Sequence, residues 1–189
     1  GRGGFALVPV RWGELNSRYD CLLAGNLNPQ YPEDRHIMWT RCRICTDYHG
    51  RKEWFTKDKI ESFKLGSDAN SGTWTFNIPL GNGIFAKFAI FIRMIPDQNQ
   101  SILTIKRMSA TTYSEESPNI NIIDDKIALK LIIRPDIEDR NFHHETKAYL
   151  GPENIWQNQI LASLKSFVFE PSDKRKLCVS TNKGKFRKS

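Results

Sequence analysis

Apolar residues recur at every second position along most of this chain, the period of β-strands with one covered face. The clearest run is 73–80, where Trp74, Phe76, Ile78 and Leu80 alternate with Thr73, Thr75, Asn77 and Pro79. Gly81-Asn82-Gly83 follows, and because Gly and Asn tolerate positive φ, this tripeptide predicts a tight hairpin turn. Phe88, Ile90, Ile92 and Met94 then supply the inward face of a long partner strand, stopped at Pro96-Asp97-Gln98-Asn99. Residues 102–108 make the third member of an antiparallel meander.

Shorter or weaker patterns predict strands at 5–10, 19–25 and 36–48. Within 36–48, Trp39, Arg41 and Arg43 are expected to share one face, suited to stacking on and hydrogen-bonding a sugar or simply to a polar exterior. Residues 26–32 hold two prolines and read as loop. The stretch 53–65 fits no single period and reads as a strand with a bend. Residues 111–121, with Glu115 and Glu116, read as an exposed loop. Alternation returns at 126–133 through Ile127, Leu129, Leu131 and Ile133. Pro152-Glu153 predicts the start of a helix over 154–164, and two short strands, at 167–169 and 177–180, flank a Pro171-Ser172-Asp173 turn. Eight or more short strands with one or two short helices make the expected fold a mainly β, antiparallel β-sandwich. Two sheets are needed because so many strands present an apolar face that must be covered.

Length and composition narrow this further. A chain of 189 residues fits one domain, and its 11% aromatic content argues against disorder of the body. No apolar run reaches the roughly 20 residues of a membrane helix and no signal-like leader opens the sequence, so a soluble, cytoplasmic protein is expected. The opening Gly-Arg-Gly-Gly, without an initiator Met, suggests a piece of something longer. The net charge of +7 resembles a nucleic-acid signal until it is divided. Seven of the basic residues, against Asp173 alone, lie in 173–189, leaving the rest of the chain close to neutral. The expected organisation is therefore a sandwich at 1–172 and a solvated basic segment at 173–189. Cys21, Cys42, Cys45 and Cys178 show no zinc-site spacing and read as buried or half-buried free thiols in a reducing compartment.

The chain changes character between 131 and 149, where an apolar strand runs into Arg134, Asp136, Glu138, Asp139, Arg140, Phe142, His143, His144 and Glu145. Carboxylates one or two positions apart on one loop seldom face each other across a substrate, which disfavours a glycosidase pair here. Pairing of Asp139 or Glu138 with Arg140 as a clamp fixing that loop is the favoured reading. An adjacent His pair offers a metal two ligands at most, in divergent directions. No phosphate loop, nucleophile elbow, zinc helix or calcium loop occurs. The sequence therefore calls for no cofactor and no metal.

The runs S-R-Y-D-C-L-L-A-G-N-L-N-P, P-E-D-R-H-I-M-W-T-R-C-R and I-I-R-P-D-I-E-D-R-N-F-H-H-E-T-K-A-Y together resemble the N-terminal region of bacterial glycogen debranching enzymes of the amylo-α-1,6-glucosidase type. Arg18, Tyr19, Leu22 and Leu23 match one family element, and Arg140, Phe142 and His143 match another. The resemblance implies a supersandwich-like domain that precedes a catalytic (α/α)6 barrel carrying the acid and base. Nothing after Phe169 is long or helical enough to be that barrel. What it implies for this chain is a non-catalytic accessory domain with two partners, the catalytic domain of the same parent and an α-glucan such as glycogen or maltodextrin. The residues expected at the glucan or interdomain interface are Arg18, Tyr19, Trp39, Arg41, Asp139, Arg140, Phe142 and His143. The competing class is a nucleic-acid binder using 174–188, disfavoured by the near-neutral body and by Phe186 as the one aromatic in the segment.

Overall fold

The computed structural model describes residues 4–28, 30–31, 34–109, 120–144 and 153–187. Its strands are β1 (Phe5–Leu7), β2 (Cys21–Asn26), β3 (Arg35–Tyr48), β4 (Arg51–Trp54), β5 (Ile60–Leu65), β6 (Ser71–Gly81) and β7 (Ile84–Met94). They continue as β8 (Ser101–Arg107), β9 (Asn121–Ile122), β10 (Lys130–Asn141), β11 (Ile160–Ala162), β12 (Ser166–Ser172) and β13 (Arg175–Ser180). A single α-helical turn, α1 (Glu153–Trp156), precedes β11. The strands form three sheets. Sheet 1 has the order β1-β2-β3-β10 with β4 also on β3; sheet 2 has β5-β6-β7-β8 with β9 on β7; sheet 3 has β11-β12-β13. Every pairing is antiparallel except the short β7–β9 contact. The fold is mainly β and sandwich-like, as the alternation required.

The meander forms as β6-β7-β8, with Asn82 and Gly83 at φ 51° and 72° closing the hairpin. Its inward residues Trp74, Phe76, Ile78, Leu80, Phe88, Ile90 and Ile92 are buried, and they share one apolar core with Leu22, Met38, Cys42 and Ile44 of sheet 1 and Phe167, Phe169 and Leu177 of sheet 3. The bend expected in 53–65 is the crossing from sheet 1 to sheet 2. There Phe55 leaves β4 to pack on Phe76 and Phe88, with ring centroids 5.1 and 5.2 Å away. A 3₁₀ turn at Lys57–Lys59 then starts β5.

Three expectations are corrected. The strand expected at 126–133 begins at Lys130 and runs to Asn141, so Arg134, Asp136, Glu138, Asp139 and Arg140 sit on a strand and not on an exit loop. Pro135 is tolerated because β10 is the last strand of sheet 1 in the hydrogen-bonded order, and an edge position leaves one side unpaired. The helix expected over 154–164 stops at Trp156; a 3₁₀ turn follows and Ile160–Ala162 pairs with β12, whose apolar Phe167 and Phe169 offer a better-covered partner than solvent. The basic segment at 173–189 is not simply a solvated tail, since β13 completes sheet 3, Leu177 is buried and Phe186 packs on Phe167 at 5.2 Å. Residues 110–119, with Glu115 and Glu116, lie outside the described residues, as does Glu145.

Candidate functional site

The loop that leads into β2 is fixed from within. Asp20, 6% exposed, accepts hydrogen bonds through Oδ2 from the backbone N–H groups of Asn16 and Ser17 at 2.5 and 2.9 Å. This presents Arg18 and Tyr19 toward the far end of β10. There Arg140 spends its guanidinium in three directions: Nε donates to Glu138 Oε1 at 2.8 Å, Nη1 to the His144 carbonyl at 2.6 Å, and Nη2 to the Arg18 carbonyl at 2.9 Å. Arg18 answers by donating from Nη1 to the His143 carbonyl at 3.2 Å. The two segments, some 120 residues apart in sequence, are thus tied by reciprocal arginine-to-carbonyl bonds.

Aromatic rings fill the space around this tie. Phe142 lies 5.8 Å from Tyr19 and 5.9 Å from Phe5, His143 packs edge-on to Tyr19 at 6.2 Å, and the Arg35 guanidinium covers the Phe142 ring at 5.6 Å. Phe5 and Phe142 pack with Cys21, Ala24 and Ile37 in a second, small core on the outer face of sheet 1. Beside it lies a polar cleft of about 640 Å³, whose lining includes Arg18, Arg41, Asp136, Glu138, Arg140 and Trp156. The carboxylates in its wall are bonded within the domain: Asp136 accepts from Arg41 Nε at 2.6 Å and from Arg43 Nη2 at 2.6 Å, and Glu138 accepts from Arg140. Charge-assisted bonds of this length fix side chains firmly.

Arg18, Tyr19, Arg140, Phe142 and His143 therefore come together, with Arg41 across the cleft. Two expected site residues do not join them. Trp39 is 8% exposed and packs in the main core, its indole N–H donating to the Arg41 carbonyl at 3.1 Å. The cause is a bulge. Asp136 pairs with Arg41 and Ile137 with Trp39, so Thr40 is an extra residue on β3 and the alternation changes face there. Arg41 and Arg43 share the outer face as expected; Trp39 does not, and no sugar can stack on it in this fold.

Asp139 faces the opposite way, toward sheet 3. Its carboxylate, 7% exposed, takes a bidentate pair from Arg175 at 2.7 and 2.8 Å and a bond from His36 Nδ1 at 3.0 Å. Burial alone would raise the Asp139 pKa, but the bonds from His36 and Arg175 and the Arg175 charge outweigh it and hold the carboxyl below its ordinary range. The clamp partner of Arg140 is Glu138, not Asp139. Asp20, Asp136, His36 and Arg175 were not singled out as part of these networks from sequence. The signal available for Asp136 was its spacing of two from Arg134 and Glu138, which puts it on one strand face once β10 is known to continue.

Cys21, Cys42 and Cys45 are buried, as expected, whereas Cys178 is exposed on the outer face of β13. Burial, helped by nearby carboxylates, pushes the Cys21 and Cys42 thiols up to about 12. Among the described residues no three His, Cys, Asp or Glu side chains are grouped to hold a metal ion, and no helix is long and apolar enough to cross a membrane.

The family model described as glycogen debranching enzyme N terminal matches residues 1–189. The chain belongs to that family. It is an N-terminal domain of glycogen debranching-type enzymes, and in this debranching-enzyme domain Arg18, Tyr19, Arg140, Phe142 and His143 meet on the outer face of sheet 1. No curated protein and no solved structure matches it.

Proposed function

We propose that this debranching-enzyme domain is non-catalytic and packs on the (α/α)6 catalytic barrel of an amylo-α-1,6-glucosidase-type parent, where it helps to hold α-glucan. The observation that carries the reading is the reciprocal tie between Arg18 and the 140–144 turn, which builds a rigid surface beside a polar cleft. Tyr19 and Phe142 are half-buried and offer ring surface for a sugar, with the exposed His143 beside them, and the cleft offers arginines and carboxylates to its hydroxyls. The carboxylates are committed to arginines, which suits positioning better than proton transfer. Four free cysteines, three of them buried, fit the cytoplasm as the place of work. Nucleic-acid binding is less favoured because Arg175 and Lys176 of the basic segment are ion-paired with Asp139 and Glu170.

Affinity electrophoresis in glycogen-containing gels tests the glucan half of this reading. Weak, salt-insensitive retardation is expected, reduced by Tyr19→Ala, with no glucose released from a branched limit dextrin by the purified chain. Measurable glucose release, or a steep salt slope on single-stranded DNA with no glycogen retardation, overturns it.

A further inference from the structure

Below the cleft, the outer face of sheet 1 carries an unusual pair. Arg134 on β10 stands directly opposite Arg43 on β3. Like charges so placed, with Cβ atoms about 5 Å apart, repel and are ordinarily avoided. Arg43 is relieved by turning to Asp136, which it shares with Arg41. Arg134 is not relieved in that way. Its guanidinium lies over the Trp54 ring at 5.6 Å, is exposed, and has no carboxylate or carbonyl partner among the described residues. The neighbouring row adds Lys130, 68% exposed and reaching Asp47, and Lys52 opposite the same Asp47. This part of the face therefore sets five cations, Arg41, Arg43, Arg134, Lys52 and Lys130, against two carboxylates, Asp47 and Asp136.

We infer that this face docks an acidic protein surface, with Arg134 and Arg43 as the recognition pair; resting on the packing reading above, that surface belongs to the barrel of the parent. The excess of positive charge is the complement of carboxylates, and an exposed guanidinium over an indole keeps its N–H donors available for a bidentate carboxylate contact. The occupant is an acidic protein surface and not a nucleic acid. Its cations are interrupted by Asp47 and Asp136, which would repel a continuous phosphate backbone but can sit between discrete carboxylates. Charges on such a face steer encounter and fix orientation more than they add affinity.

The test uses the chain itself with poly-L-glutamate as probe at low salt, read by titration and by the change in tryptophan fluorescence that Trp54→Phe removes. Binding is expected, with a fluorescence change as a carboxylate reaches the Arg134 guanidinium over the Trp54 indole. Arg134→Gln should weaken it by roughly 1.5- to fivefold, the range for an exposed ion pair. Lys64→Gln, which removes an exposed charge from sheet 2, should leave it unchanged. Unaltered melting of both variants separates binding from folding. Equal losses for the two variants, absence of binding, or tighter binding of single-stranded DNA at equal charge overturns the inference. Because the probe is independent of the parent enzyme, failure here leaves the packing proposal standing, and loss of glycogen retardation leaves this one standing.

Discussion

Replacing Asp139 by Asn keeps the shape of the side chain but removes a charge that joins β10 to sheet 3. The native carboxylate is 7% exposed and receives three hydrogen bonds, two from Arg175 and one from His36. Breaking a buried pair by removing one member costs about 3–5 kcal/mol, mostly from the charge left behind. Arg175 is 27% exposed and can recover part of its hydration, which brings the expected loss to about 2–3 kcal/mol. For a chain of this length each kcal/mol moves Tm by about 2–4 °C, so calorimetry at pH 7 should find Asp139→Asn melting about 5–10 °C lower. Glu170→Gln, which breaks the exposed pair with Lys176, should change stability by less than about 1 kcal/mol. The sign with pH follows from the lowered pKa. The contribution of Asp139 is fully present above the unfolded carboxyl value of about 3.9 and is lost as pH falls through the lower folded value, so the gap between wild type and variant should close only in acid below about pH 4. A loss under about 1 kcal/mol at pH 7 would mean that sheet 3 is held by Phe167, Phe169 and Leu177 alone, and the reasoning from the buried pair fails.

Arg140→Ala removes the bonds to Glu138, Arg18 and His144 together and should lower stability by about 2–4 kcal/mol in urea unfolding; an unchanged midpoint would assign the tie to an interface role only. Thiol titration with a disulfide reagent at pH 8 should find Cys178 reacting first and Cys21 and Cys42 protected until the chain unfolds, because burial raises those two thiols to about 12. Fast reaction of all four cysteines in the folded chain contradicts the core assignment.

The meander was legible because its information is local: each of Trp74, Phe76, Ile78 and Leu80 needs cover on one face, and Gly81-Asn82-Gly83 turns the chain without strain. The 131–149 stretch was legible as important but misread in geometry. Proline and a dense run of charges look like loop chemistry, and only the pairing of β10 with β3 makes them a strand. Trp39 was misplaced for a related reason, since period-two reasoning assumes unbroken pairing and Thr40 breaks it.

The sequence by itself determined the strand periodicity, the hairpin, the uneven spread of charge and, through its motif residues, the debranching-enzyme family. Only the tertiary structure decided which carboxylate meets which cation. Glu138 takes Arg140, Asp136 takes Arg41 and Arg43, and Asp139 takes Arg175 and His36. The physical reason is that alternation is enforced by burial residue by residue, whereas partner choice depends on register. Register on β10 is set by irregularities after Asp136 and Ile137, which turn adjacent acids of one short sequence toward different sheets.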